Sequence, residues 1–316
     1  MVAARPAGPP LLVEPTSAAE ARRKFLIGLG LAASGAMLVS GKAIIVKLAY
    51  RYHIDPVTFL ALRMAMALPF FVLVAWYVGA RRPIQWLPGD RWRVVAIGLC
   101  GYYLASFLDF LGLQYVTVGL ERVILYLSPT IVVLLSALLL RRRIEPRDWI
   151  AMALAYTGVV FVFWHDVSLT GANVALGSLL VFGSAASYAV YLVASGELVK
   201  RLGALRLTSY ASMVAAVACI AQALALDAGA LWSQPAPVYW LSLINAVLCT
   251  VAPVFLIMTA VERIGSSAAS QTGMIGPAAT IAMGAVFLGE PVSAEQLFGT
   301  AIVIAGMLVL GSRKFN

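Results

Sequence analysis

Tyr126-Leu127-Ser128-Pro129-Thr130-Ile131 returns 148 residues later as Met274-Ile275-Gly276-Pro277-Ala278-Ala279. The ungapped register continues, with Ala137 meeting Ala285, Ala153 meeting Ala301, Leu154 meeting Ile302 and Gly158 meeting Gly306. Self-similarity at a fixed shift means that the chain is assembled from like units. What kind of unit follows from composition. Of 316 residues, 62% are hydrophobic and 12% charged, where soluble domains carry about 25% charged residues. No stretch here can form a charged, water-facing domain, so a soluble enzyme is excluded. The expectation is an all-α integral membrane protein.

A span needs about 20 apolar residues. Ten segments qualify, at 25–48, 56–79, 93–116, 119–140, 149–164, 173–199, 208–226, 238–261, 266–288 and 294–311. Backbone polar groups in lipid must be satisfied within the segment, so each is expected to be a helix. The expected division is a disordered tail at 1–24, a first five-helix unit at 25–164, an outer linker at 165–172 and a second unit at 173–312.

Five spans per unit is an odd number, so the second unit must enter the membrane inverted. The loops bear on this independently. Arg141-Arg142-Arg143-Ile144-Glu145-Pro146-Arg147-Asp148 carries four arginines, while its counterpart Gly289-Glu290-Pro291-Val292-Ser293-Ala294-Glu295-Gln296 carries two glutamates and no basic residue. Equivalent loops of opposite charge belong on opposite sides. With both termini cytoplasmic, 18 of the 23 basic residues fall on the inner side; the other five are Lys42, Lys47, Arg51, Arg63 and Arg122. The net charge of +9 is then topology meeting anionic lipid, with no nucleic-acid partner. Inverted repeats typify secondary transporters, whose substrate site lies near the midplane between the repeats.

Leu125-Tyr126-Leu127-Ser128-Pro129 with Glu145 and Gly158, echoed by Gly276-Pro277, Phe287-Leu288-Gly289-Glu290-Pro291 and Gly306, resembles the EamA-type repeat of the drug/metabolite transporter superfamily. Phe59-Leu60-Ala61-Leu62-Arg63 after Lys47-Leu48-Ala49 resembles the opening of that repeat. The resemblance covers about residues 25–312 and implies ten helices and export of amino acids or other small metabolites across a bacterial inner membrane. Within the superfamily the chain looks most like the aromatic amino acid exporters of the YddG type.

Charge inside a membrane costs about 2.5–3.5 kcal/mol per group on insertion scales. Lys42, Arg63 and Asp109 are expected at a common depth, six or seven residues from the outer ends of the first three segments, with Glu121 and Arg122 just above them. Two readings stand. One is an ion-pair network locking the first half together. The other makes Asp109 a protonatable coupling residue, or Lys42 a contact for a substrate carboxylate. The second half has no charge at the matching positions Val190, Met213 and Ile257.

Polar and aromatic stripes supply the substrate-binding candidates. Ser184, Tyr188, Tyr191 and Ser195 share one helical face, as do Tyr102, Ser106 and Asp109. Tyr126 follows Arg122 on the fourth segment; Asn245 precedes Cys249 on the eighth; Gln271 lies on the ninth. Pro129 and Pro277 occupy one repeat position, and each frees the carbonyl four residues back, Leu125 and Gly273 respectively. Matched breaks there are candidate hinges.

Cys100, Cys219 and Cys249 lie in apolar runs without metal spacing, so no metal or cofactor is expected. No GxxxxGK[ST] loop, HExxH or paired catalytic aspartates occur, so neither ATP-driven transport nor an enzyme is expected. The remaining alternative is a passive facilitator or channel. The expected partners are a small-molecule substrate and membrane lipid, around a monomer.

Overall fold

The computed structural model describes residues 18–81, 86–141, 144–170, 173–273 and 275–311. They are helical throughout, with no strand among them. Eight helices are long and apolar enough to cross a membrane: α1 Arg22–Tyr50, α2 Pro56–Ala80, α3 Asp90–Gly112, α4 Val118–Leu139, α5 Pro146–Trp164, α6 Val174–Ala194, α7 Ala204–Asp227 and α8 Ala236–Val261. Two shorter apolar helices follow, α9 Gly276–Leu288 and α10 Ala294–Val309. Exposed tryptophans mark both rims. Trp76, Trp92 and Trp149 lie at one end of their helices, and Trp164, Trp232 and Trp240 at the other. Amphipathic rings gather at both membrane–water interfaces, so their separation into two belts fits a membrane-spanning body.

Some boundaries differ from those expected. The first helix begins at Ala18, so the last part of the expected tail is helical; Ala18–Lys24 is rich in strong helix formers. Helix α5 continues to Thr170, taking most of the expected linker. Helix α3 ends at Gly112, and residues 113–116 form turns. Asp109 therefore sits in the last turn of its helix and not two turns inside it. Residues 1–17 and Met274 lie outside the described residues.

Helix α1 runs antiparallel to α8, Gly35 packing on Ile257 and Gly41 on Cys249. The helical run Ala252–Gly273 does not continue straight. Gly28 packs on Ile264, whereas Ser40 bonds Gly276 and Arg51 bonds the Leu288 carbonyl. Between Ile264 and Leu288 the chain therefore returns along α1.

Several irregularities recur at the 148-residue shift. Helical segments start at Pro56 and Ala204, and at Pro146 and Ala294. Wide π turns occupy Leu99–Leu104 and Val247–Val251. Helical segments end at Leu125 and Gly273 and resume at Ser128 and Gly276. Left-handed residues follow at Arg141 and Gly289. The packing recurs with its partners exchanged. Gly35 of α1 meets Ile257 of α8, and Gly183 of α6 meets Leu108 of α3. Gly158 of α5 meets Gly299 of α10, and Gly306 of α10 meets Ala151 of α5.

Candidate functional site

Two broken helices meet at the centre of the site. Pro277 cannot donate to the Gly273 carbonyl, and a bare carbonyl in lipid is costly. The Tyr126 hydroxyl donates to that carbonyl at 2.8 Å. Pro129 frees the Leu125 carbonyl in the same way, and Ser128 Oγ donates to it at 2.7 Å. Beside them Ser40 Oγ donates to the Gly276 carbonyl at 3.0 Å. The break of α4 thus holds the break that precedes α9. Gly276 leaves room for this contact, because a Cβ there would stand 2.6 Å from the Tyr126 hydroxyl. Removing the hydroxyl should be costly: Tyr126→Phe orphans the Gly273 carbonyl, a penalty of about 1–3 kcal/mol. The expected readout is a lower melting temperature and faster hydrogen exchange confined to residues near 273–280. A uniform change in exchange across the chain would sink the assignment.

The charged residues gather next to this junction. Lys42 Nζ donates to Asp109 Oδ2 at 2.5 Å and lies 3.8 Å from Glu121 Oε1. Arg122 Nε is 3.8 Å from Glu121 Oε2, and its Nη2 donates to the Val39 carbonyl at 3.1 Å. Asn245 Nδ2 donates to the Lys42 carbonyl at 3.2 Å, tying α8 to the same turn of α1. Asp109, Glu121 and Asn245 are fully buried, and Arg63 is 5% exposed. The sequence expected opposite charges to pair at this depth without choosing the cation, and it is Lys42 that takes Asp109. The expectation that Arg63 joins an ion pair is not met. Among the described residues it has no carboxylate partner; it lies over the Phe110 ring, Cζ 5.0 Å from the centroid, and touches Met64 Sδ at 3.5 Å.

The tyrosines divide. Tyr126 belongs to the junction. Tyr102 and Tyr191 meet edge to face at 5.1 Å, and Tyr188 stacks on Tyr191 at 5.6 Å. Tyr191 is buried, whereas Tyr188 is 38% exposed. Tyr102 and Tyr191 pack with Val94, Ile97, Leu198 and Leu207, and Tyr102 also packs on the cluster that holds Ala43, Phe59 and Phe110. Gln271 lies on the helical run before Gly273, in a stretch whose side chains are outside those described.

Four contributors were not assigned to the site from sequence: Ser40 and Phe110 carry no motif, and Lys47 and Glu290 entered only as parts of the repeat-like stretches. Lys47 pairs with Glu290 at 3.6 Å, and Glu290 accepts from the Val118 amide at the start of α4, both carboxylate oxygens at 3.2 Å. The available signal was electrostatic. Lys42, Lys47, Arg51, Arg63 and Arg122 are the five basic residues away from the positive rim, and a cation placed against that preference needs an internal partner. At the other end Arg201, on a short helix Gly196–Leu202, grips Asp90 through two 2.8 Å bonds. Those bonds hold its guanidinium above its ordinary pKa.

Comparison with known proteins then places the chain. The EamA-like transporter family matches twice, over residues 26–164 and 175–312. The chain belongs to the EamA-like transporter family. It is 32% identical over 283 residues to the uncharacterized transporter YcbK of Bacillus subtilis (strain 168), covering 86% of this chain and 90% of that one. It is 30% identical over 212 residues to the threonine/homoserine exporter RhtA of Escherichia coli (strain K12), covering 64% of this chain and 65% of RhtA. A solved crystal structure superposes with a TM-score of 0.61 at 18% identity, covering 92% of this chain and 96% of its own; that likeness concerns the fold alone. With the apolar helices, the family match makes this EamA-like chain a multi-pass membrane transport protein. The more specific likeness to YddG-type exporters remains an expectation from sequence.

Proposed function

We propose that this EamA-like protein is a secondary exporter of amino acids, aromatic ones included, or similar small metabolites. It works by alternating access between two inverted five-helix halves, 25–164 and 173–312, in a bacterial inner membrane with both termini cytoplasmic. The observation that carries the reading is the junction itself. Two helix breaks at equivalent repeat positions meet through Tyr126 and Gly273, beside a buried charge cluster built from α1, α3 and α4. Broken helices from opposed repeats form the substrate and coupling sites of many secondary transporters.

The exchanged packing supports the inverted arrangement. Gly158 meets Gly299 while Gly306 meets Ala151, so α5 and α10 cross antiparallel. Equivalent helices related by an in-plane two-fold axis cross in that way. RhtA, named as an exporter of threonine and homoserine, supports the substrate class. In this reading Lys42, Asp109, Glu121 and Arg122 form the coupling network, and Pro129 and Pro277 are the hinges. Asn245, Gln271 and the tyrosines 102, 126, 188 and 191 border the substrate path.

The test is uptake of labelled amino acids into proteoliposomes, with and without an imposed proton gradient. Accumulation above equilibrium that requires the gradient is the expected result. Equilibration that ignores the gradient would replace the exporter by a passive facilitator. Absence of uptake for every amino acid would remove the substrate class.

A further inference from the structure

We propose that Arg63 receives the carboxylate of a zwitterionic substrate, whose ammonium group is met by the free oxygen of Asp109. The proposal rests on the amino-acid reading above and assigns the group that recognises such a substrate. It also moves the carboxylate contact from Lys42, the candidate raised from sequence, to the neighbouring helix.

Charge balance comes first. Three cations, Lys42, Arg63 and Arg122, are buried with two carboxylates, Asp109 and Glu121. Lys42 takes Asp109 at 2.5 Å and lies between both acids. Arg122 takes the other face of Glu121. No acid is left for Arg63, and a buried guanidinium without an anion is costly. A substrate carboxylate supplies the missing charge, and it matches the planar fork of Arg better than the point charge of Lys.

Hydrogen-bonding capacity points the same way. Arg63 Nε is a buried donor with no protein partner, while Asp109 Oδ1 and Asn245 Oδ1 are buried acceptors with none. Unused donors and acceptors in one cluster suit a ligand that carries both charges. Buried polar groups normally find partners, and here a donor and two acceptors lie within one charged cluster. Phe110 fixes the geometry. Lys42 Nζ stands 6.0 Å and Arg63 Cζ 5.0 Å from its ring centroid, so the ammonium that holds Asp109 and the guanidinium are no farther apart than those two distances laid end to end. The ring face also pre-orients the guanidinium. The three elements that contribute, α2, α3 and α8, come from both halves of the chain, so occupancy of the site bears on their relative position.

The test uses purified protein in detergent and a matched set of probes: L-phenylalanine, phenethylamine, which lacks the carboxylate, and 3-phenylpropionate, which lacks the ammonium. Binding is read as the probe concentration giving half-maximal thermal stabilisation. Wild type should bind the amino acid at least about tenfold more tightly than either analogue, the order of one charge-assisted hydrogen bond. Arg63→Gln should bring L-phenylalanine down to the level of phenethylamine and leave phenethylamine unchanged. Arg63→Lys, which keeps the charge and loses the fork, should fall between, and it carries the test should Arg63→Gln not fold. If the variants discriminate among the probes as wild type does, Arg63 is structural and the assignment falls while amino-acid export stands. If wild type neither binds nor transports any amino acid, the export reading falls, and the Arg63 assignment with it.

Discussion

Asp109→Leu alone will destabilise the protein by about 3–5 kcal/mol, the cost of stranding one member of a buried ion pair. The double replacement Lys42→Met with Asp109→Leu will recover most of that loss. Lys42 and Asp109 meet at 2.5 Å, with side-chain exposures of 18% and 2%. Removing Asp109 leaves an ammonium in an apolar setting, held only by Glu121 at 3.8 Å. Removing both charges and filling the volume with apolar side chains eliminates the desolvation cost together with the attraction, a change that is often neutral or stabilising. Glu121 then relies on Arg122, so recovery should be large but incomplete. Unfolding in detergent, followed by helical signal, measures all four proteins of the cycle. A double variant as unstable as the sum of the singles would mean that the two residues act independently, against the pairing. Transport should be lost in both variants that lack Asp109, because stability and coupling draw on different properties of one carboxylate.

Gly158→Leu should also be damaging, through sterics alone. A Cβ at Gly158 would lie 2.5 Å from the Gly299 carbonyl and 2.6 Å from Val303 Cγ2, while one at Gly299 would lie 2.7 Å from the Gly158 carbonyl. The two carbonyls are backbone atoms and cannot swing aside. Helices α5 and α10 would have to separate, and overpacking of this kind costs about 1–3 kcal/mol or more. Small residues let membrane helices approach to this distance, and van der Waals packing holds them there. Gly306→Leu should cost a similar amount, since a Cβ there would meet the Ala151 carbonyl at 2.8 Å. Gly30→Leu is the control: nothing lies within 4 Å of a Cβ at that position, and stability should not change. Equal melting temperatures for Gly158→Leu and Gly30→Leu would refute the close-contact account.

Much of the architecture was readable before any coordinates. The Pro129 and Pro277 positions told where two helices must break and which carbonyls would be freed. Which group would satisfy each carbonyl was not readable. For Leu125 it is a neighbour three residues on, Ser128, a local solution. For Gly273 it is Tyr126, 147 residues away, and only packing brings them together. The depth argument likewise found Lys42, Arg63 and Asp109 as a group. It could not decide which cation takes the acid, because that depends on the rotation of each helix about its axis. Tyr188 shows the same limit: its stripe was legible, but its 38% exposure was not.

By itself, then, the sequence determined the helical make-up, its membrane setting and the break points. Each of these follows from properties local along the chain: apolar length, backbone satisfaction in lipid and proline chemistry. The tertiary structure alone decided that Lys42 is consumed by Asp109, that Arg63 rests on Phe110 without an acid among the described residues, and that Tyr126 caps the broken helix at Gly273. Those outcomes depend on which faces of distant helices meet, and that choice is made by the packing of all the helices at once.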